Sequence, residues 1–231
     1  MRALASLLAV ASVAVVGAVA AVDAFRGSPA VVPPGVRGEI VYSDPACHRH
    51  AIRLPDLARH DFLTVGCGVF TRRDNLGVRN GDVAWFAYPV PGGTTTLLRR
   101  RDLPAGIRVQ TVAWLGGRRF AAILEPRGEV TVWQGSRQLR ETASGTFVEL
   151  RASPTGRYFA ALGAGRVRFV DRFGRGLWET RGRAVAWSPD EAYAAVARPG
   201  ELVIFPAAGG NAVFRIAVRA RDVEWRTLDR Q

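Results

Sequence analysis

Cys47, His48, His50, His60 and Cys67 bring two thiols and three imidazoles into one short stretch of the chain. Two chemistries use such a set. A zinc site needs four ligands converging on one point. Here Cys47 and His48 are adjacent, which sends their side chains to opposite sides of a strand, and the spacing fits neither a finger nor a ribbon. A disulfide needs only the two thiols, and in an exported domain it would close a loop of about twenty residues worth about 3 kcal/mol. The expectation is therefore a Cys47–Cys67 disulfide and no metal, with the three histidines at or near the surface.

Glu149 and Glu224 recur at one position of a repeated pattern, and two carboxylates facing a shared cavity are what a glycan hydrolase uses as general acid and base. Each, however, has an arginine two residues along its own strand, Arg151 and Arg226, so ion pairing is the simpler use of both. The equivalent positions elsewhere, Val69, Ala113 and Ala186, are small or apolar. No serine stands in a nucleophile elbow, and Gly92-Gly93 and Gly209-Gly210 are not followed by helices, so neither cradles a phosphate. No catalytic residue and no cofactor are expected.

The net charge is +12, and since the chain contains no lysine all 32 basic residues are arginine. With the abundance of Ala, Gly and Val this points to a GC-rich coding bias more than to selection at each site. Arg99-Arg100-Arg101 is the densest basic cluster and the best single candidate for an anion or partner site. Nucleic-acid modules leave signatures that are not found here, so no nucleic acid is expected as partner.

The first twenty-four residues set the cellular address. Ala3 to Val22 runs without a charge, long enough to cross about 30 Å of hydrocarbon as a helix, and Arg2 favours a cytoplasmic N-terminus. The segment reads as a single-pass anchor in the cell membrane or as a signal peptide cleaved near Ala20 or Ala24, and either exports the rest of the chain. Residues 25–38 hold three Pro and three Gly, the composition of a stiff tether. Residues 39–231 are the remaining domain.

That domain repeats itself. Apolar triplets ending at Phe70, Trp114, Leu150, Trp187 and Trp225 are separated by 44, 36, 37 and 38 positions, and each leads through a tight turn into further short runs of β-branched and aromatic residues. A period near forty with three or four strands per unit predicts an all-β fold, a β-propeller. The last unit stops after one strand, at Asp222 to Arg226, whereas the domain opens at Gly38 with strands that lack a first. Joined, the two ends complete one blade and seal the ring, for a count of five; four or six blades also remain open. Trp114, Trp187 and Trp225 at one repeat position, like Trp85 and Trp133 in the third strands, are expected to fill the space between sheets.

Two stretches carry a family likeness. Ala186 to Phe205, with Ser188-Pro189-Asp190, and Leu150 to Val170, with Ser153-Pro154-Thr155-Gly156, resemble the blades of WD-repeat-like and TolB-like β-propellers, of bacterial membrane-anchored or secreted type. The likeness covers residues 107 to 210 well and the rest weakly. Residues 116–119 (GGRR) and 72–75 (RRDN) depart from the motif, and the Gly-His and Trp-Asp marks of eukaryotic WD repeats are missing. It implies a scaffold or binding role and carries no catalytic residues. The combined expectation is a monomeric, non-catalytic, extracytoplasmic propeller that binds another envelope protein or a wall component. The alternatives are an envelope hydrolase using Glu149 and Glu224, and a polyanion-binding module led by Arg99 to Arg101.

Overall fold

Short runs of Val, Ile, Phe, Trp and Ala punctuated by Gly, Pro and Asp leave little room for helices. The computed structural model describes residues 31–68, 75–79, 83–87, 96–99, 108–116, 119–135 and 137–228, and these contain strands and turns without a helix. The strands begin with β1 (Gly38–Ser43), β2 (His48–Leu54), β3 (Arg59–Val65), β4 (Asn75–Arg79), β5 (Val83–Ala87) and β6 (Thr96–Arg99). They continue with β7 (Arg108–Trp114), β8 (Arg119–Glu125), β9 (Glu129–Gln134), β10 (Arg137–Ala143), β11 (Glu149–Ala152), β12 (Tyr158–Gly163) and β13 (Arg166–Asp171). The last six are β14 (Gly176–Arg181), β15 (Ala184–Trp187), β16 (Tyr193–Arg198), β17 (Glu201–Pro206), β18 (Phe214–Ala217) and β19 (Asp222–Arg226).

All pairings are antiparallel between neighbours, as in a blade. Three four-stranded sheets run β7 to β10, β11 to β14 and β15 to β18, and β4 to β6 form a three-stranded one among the described residues. The fourth four-stranded sheet has the order β19-β1-β2-β3, so the last strand enters the sheet that the first began. Ile40 lies opposite Trp225 and Tyr42 opposite Val223. This is the joining of chain ends that the truncated last repeat calls for.

The sheets pack face to face. Along β16, Ala194 and Val196 project to one side and join Tyr158, Phe169, Val185 and Trp187 in the core against the β11–β14 sheet. Ala195 and Ala197 project to the other, meeting Ile40, Ile52, Leu202, Ile204 and Trp225 in the core against the β19-β1-β2-β3 sheet. A third core, with Ala121, Ile123, Val132, Leu150, Phe159 and Ala161, joins the β7–β10 and β11–β14 sheets. Because both faces are covered, these central strands read as unbroken apolar runs rather than alternating ones. Their alanines let neighbouring sheets approach closely.

Two sequence expectations change. The repeat position closed by Trp114, Trp187 and Trp225 is occupied in the β11 unit by Ala152, not Leu150. The residues that follow Trp114, Ala152 and Trp187 each open the hairpin into the next strand, with Leu115 N donating to Arg119 O in a turn one residue shorter than those closed by Ser153 N to Tyr158 O and Ser188 N to Tyr193 O. Leu150 thus corresponds to Val185. The second change concerns residues 25–38. Val32 and Val36 are buried in the core beside Tyr193, and Arg37 O accepts a hydrogen bond from Trp225 Nε1 at 2.9 Å, so this part of the expected tether belongs to the packed domain. Residues 1–24 lie outside the described residues, among which no helix is long and apolar enough to cross a membrane.

Strand alternation sorts the turns between two ends of the sheets. The hairpins Ser153–Tyr158 and Ser188–Tyr193 mark one end, here called the Ser-Pro end. The β1–β2 turn with Cys47 lies at the other.

Candidate functional site

Arg151 occupies the inner strand of its sheet where the equivalent positions are Ala113, Ala186 and Glu224. A guanidinium with 5% of its side chain exposed must find partners for its donors, and it does so across three sheets. Nε donates to Glu149 Oε1 at 2.7 Å and Nη2 to Asp222 Oδ1 at 2.7 Å. Nη1 donates to the carbonyls of Val185 at 2.9 Å and Val223 at 3.2 Å. The backbone carbonyl of Arg151 in turn accepts from Trp187 Nε1 at 3.1 Å. β11, β15 and β19 are thereby tied at one point.

This accounts for Glu149. Glu224 is held separately by Arg226, whose Nη2 lies 2.6 Å from Glu224 Oε2. Register also separates the two acids, for Glu149 is level with Asp222 and Glu224 is level with Arg151 along the inner strands. The geometry is that of two ion pairs, each carboxylate fixed by an arginine. The two arginine partners are evident in the sequence, whereas Asp222 as the second partner of Arg151 is not. Only the position of β19 reveals it.

At the end with Cys47, that residue and Cys67 are joined in a disulfide with Cα atoms 4.3 Å apart. It ties the β1–β2 turn to the chain leaving β3, and Ser43 Oγ adds a 2.6 Å hydrogen bond to Cys67 O. Cys67 itself lies in no strand, and Val69 and Phe70, expected to follow it in one, lie outside the described residues. The histidines collect around carboxylates. His50 Nδ1 sits 2.6 Å from Asp61 Oδ1 while Nε2 faces Asp44 Oδ2 at 3.5 Å, and His48 Nδ1 is 3.4 Å from the same oxygen. The hydrogen bond to Asp61 leads in raising the His50 pKa above its ordinary value, over an opposing effect of burial. His60 Nε2 lies 3.7 Å from Glu39. Among the described residues no group of His, Cys, Asp and Glu is arranged to hold a metal ion.

At the Ser-Pro end, neighbouring sheets are latched. Glu191 takes the turn position that Gly156 takes in the sheet beside it; both have positive φ, 59° and 73°. A glutamate there is conformationally unfavourable. Its carboxylate accepts from the backbone N–H of Thr155 and, at 2.9 Å, from Thr155 Oγ1. The side chain thus replaces a glycine's freedom with an inter-sheet bond, a role with no signal in the sequence.

Three of the tryptophans are packing residues, while Trp114 is half-buried. Trp187 and Trp225 are each 5% exposed, and Trp187 stacks on Tyr158 and meets Phe169 edge-on. Trp133 is also buried. Arg99 ends β6; Arg100 and Arg101 lie outside the described residues, so the basic cluster they form is not placed.

No protein-family model matches the chain, and no curated protein matches it at a significant level. Solved structures of low identity superpose in part. The β-propeller domain of Myceliophteria thermophila Cps50 (Swd1) gives a TM-score of 0.48 at 14% identity, covering 80% of this chain and 72% of that one. A eukaryotic initiation factor gives 0.49 at 13% identity over 78% of this chain, which spans about half, 51%, of the other. The WD40 β-propeller domain of Doa1 gives 0.39 at 12% identity, covering 77% and 64%. The fold assignment rests on the sheets themselves.

Proposed function

We propose that this protein is a non-catalytic, membrane-tethered scaffold. Its five sheets form a propeller sealed by β19, held outside the cytoplasm, whose turns bind another protein or a component of the envelope. The observation that carries this reading is the Arg151 junction. The inner strands of three sheets are locked by a buried guanidinium that also engages Glu149, one of the two acids that a hydrolytic mechanism would need free. A body built in this way offers rigid ends decorated with turns, which suits recognition. The disulfide supports an oxidising compartment, and the apolar run Ala3–Val22 supports the tether.

The test uses the full chain with a tag at its C-terminus, expressed in cells. The reading expects the chain to stay in membranes washed with alkaline carbonate, its tag to be removed by protease added outside intact cells, and Cys47 and Cys67 to resist alkylation until reduced. A tag protected from external protease, with free thiols, would contradict the extracytoplasmic assignment. Photo-crosslinkers placed in the turns of either end, giving no adduct with any envelope component, would contradict the binding role.

A further inference from the structure

The Ser-Pro end carries a patch that none of the sites above uses. Phe173, in the turn between β13 and β14, is 51% exposed. Arg119 places its guanidinium carbon 4.6 Å from the centre of this ring, and Arg175 lies 5.9 Å from it on a tether to Asp171. Arg172 reaches from the same turn to the neighbouring sheet. A Cβ on Gly116, whose φ is +86°, would stand 3.3 Å from Arg172 Nη2 and 3.2 Å from Thr155 O. Arg157, beside them, has its backbone carbonyl bonded to Arg172 N and its guanidinium over Tyr158. Arg175 is balanced by Asp171, whereas Arg119, Arg157 and Arg172 form no ion pair among the described residues. Three arginines without such an ion pair, Arg119 over the half-exposed Phe173 ring and Arg172 and Arg157 on the turn and strand beside it, are complementary to a surface that is anionic outside and apolar just beneath.

The chain also enters the domain at this end. Gly35 abuts the hydroxyl of Tyr193, at the foot of the Ser188–Tyr193 hairpin, and Gly38 opens β1 opposite Leu54, just before the β2–β3 turn. The 31 residues before Val32 include the charge-free run Ala3–Val22. We infer that Arg119, Arg157 and Arg172 dock the Ser-Pro end on anionic lipid headgroups, with Phe173 entering the interfacial layer. This inference rests on the tethered reading above for its geometry. Three arginines at such a surface strengthen docking by roughly a hundredfold, in a salt-dependent way.

The full chain is reconstituted in phosphatidylcholine vesicles with or without 30% phosphatidylglycerol, and hydrogen exchange is followed at residues 171–175 and 115–119. Exchange is expected to slow about tenfold or more only with phosphatidylglycerol, and the protection to vanish in 0.5 M salt, in R119A/R157A/R172A and in the single exposed-site variants R157E and F173S. The single variants keep the test meaningful if the triple variant folds poorly. A chain that resists carbonate extraction but shows equal exchange in both vesicle types would overturn the docking while leaving the tether standing. A chain that is extracted by carbonate yet binds anionic vesicles through these arginines would uphold the docking and overturn the tether. Protection that needs membrane proteins and not anionic lipid would assign the patch to an acidic protein and overturn the lipid assignment.

Discussion

Arg151 and Asp222 stand 71 residues apart in sequence and meet at 2.7 Å. One belongs to the β11–β14 sheet and the other to β19, the strand that completes the sheet of β1 to β3. Their bond forms only once β19 is docked beside the inner strands β11 and β15. A buried arginine that has committed its donors to two carboxylates and two carbonyls is costly to disturb, because the remaining partners are left charged and unsatisfied.

Replacing Arg151 by Met is therefore expected to destabilise the protein by about 3 to 5 kcal/mol. Adding Asp222→Leu and Glu149→Leu should restore much of the loss, since the stranded carboxylates are then gone. Denaturant midpoints for the parent, Arg151→Met, the Asp222→Leu/Glu149→Leu pair and the triple variant give the coupling. Additive effects would show that Arg151 is not coupled to the two carboxylates.

Glu191 sets an opposing pair of effects. Its positive φ carries a conformational cost of about 1 to 2 kcal/mol that glycine would relieve, while its two bonds to Thr155 are worth about 1.5 to 3 kcal/mol together. Glu191→Ala keeps the cost and loses the bonds, so it should melt well below the parent. Glu191→Gly should fall between the two. If the alanine variant melts with the parent, the latch contributes nothing.

Reduction of the Cys47–Cys67 bridge, which closes a separation of 20 residues, is expected to cost about 3 kcal/mol of stability. A chelator alone should leave the melting temperature unchanged. A shift with chelator and none with reductant would reverse the assignment of the cysteines.

His50 and the aspartates give stability a pH profile. Asp61, against the opposing effect of burial and with help from Asp44, raises the folded pKa of His50 above 6.5. Its contribution is complete below the unfolded value and is lost as pH rises through the folded one. Asp171 behaves oppositely. Burial pushes its carboxyl up, but the bonds from Arg175 and Phe173 outweigh this and hold it below 3.8, so its contribution is complete above that value and fades as pH falls through the folded one. In His50→Gln the stability difference from the parent should shrink as pH is raised from 6 to 9. A difference constant across that range would contradict the role given to Asp61.

The strand repeats, the Ser-Pro turns, the paired cysteines and the split first sheet are legible in the sequence because each is written in local residue types or in a period. The features that escape it are set by contacts distant in the chain. The β11 unit aligns two residues out of place because a buried arginine sits where its neighbours carry alanine, so that the run Phe147-Val148-Glu149-Leu150 resembles the inner strand. The packing of Val32 and Val36 is hidden by the prolines and glycines around them, whose composition signals a loose segment whether or not its valines are buried. The roles of Asp222 and Glu191 emerge only once neighbouring sheets are in place.

The central claim is that β19 is an integral strand of the first sheet. It is tested most directly by hydrogen exchange of the amides in Asp222–Arg226 in the full chain. The expected result is slow exchange matching that of β1, with both segments opening together as denaturant is added. Exchange of Asp222–Arg226 at the rate of an unstructured peptide while β1 remains protected would contradict it.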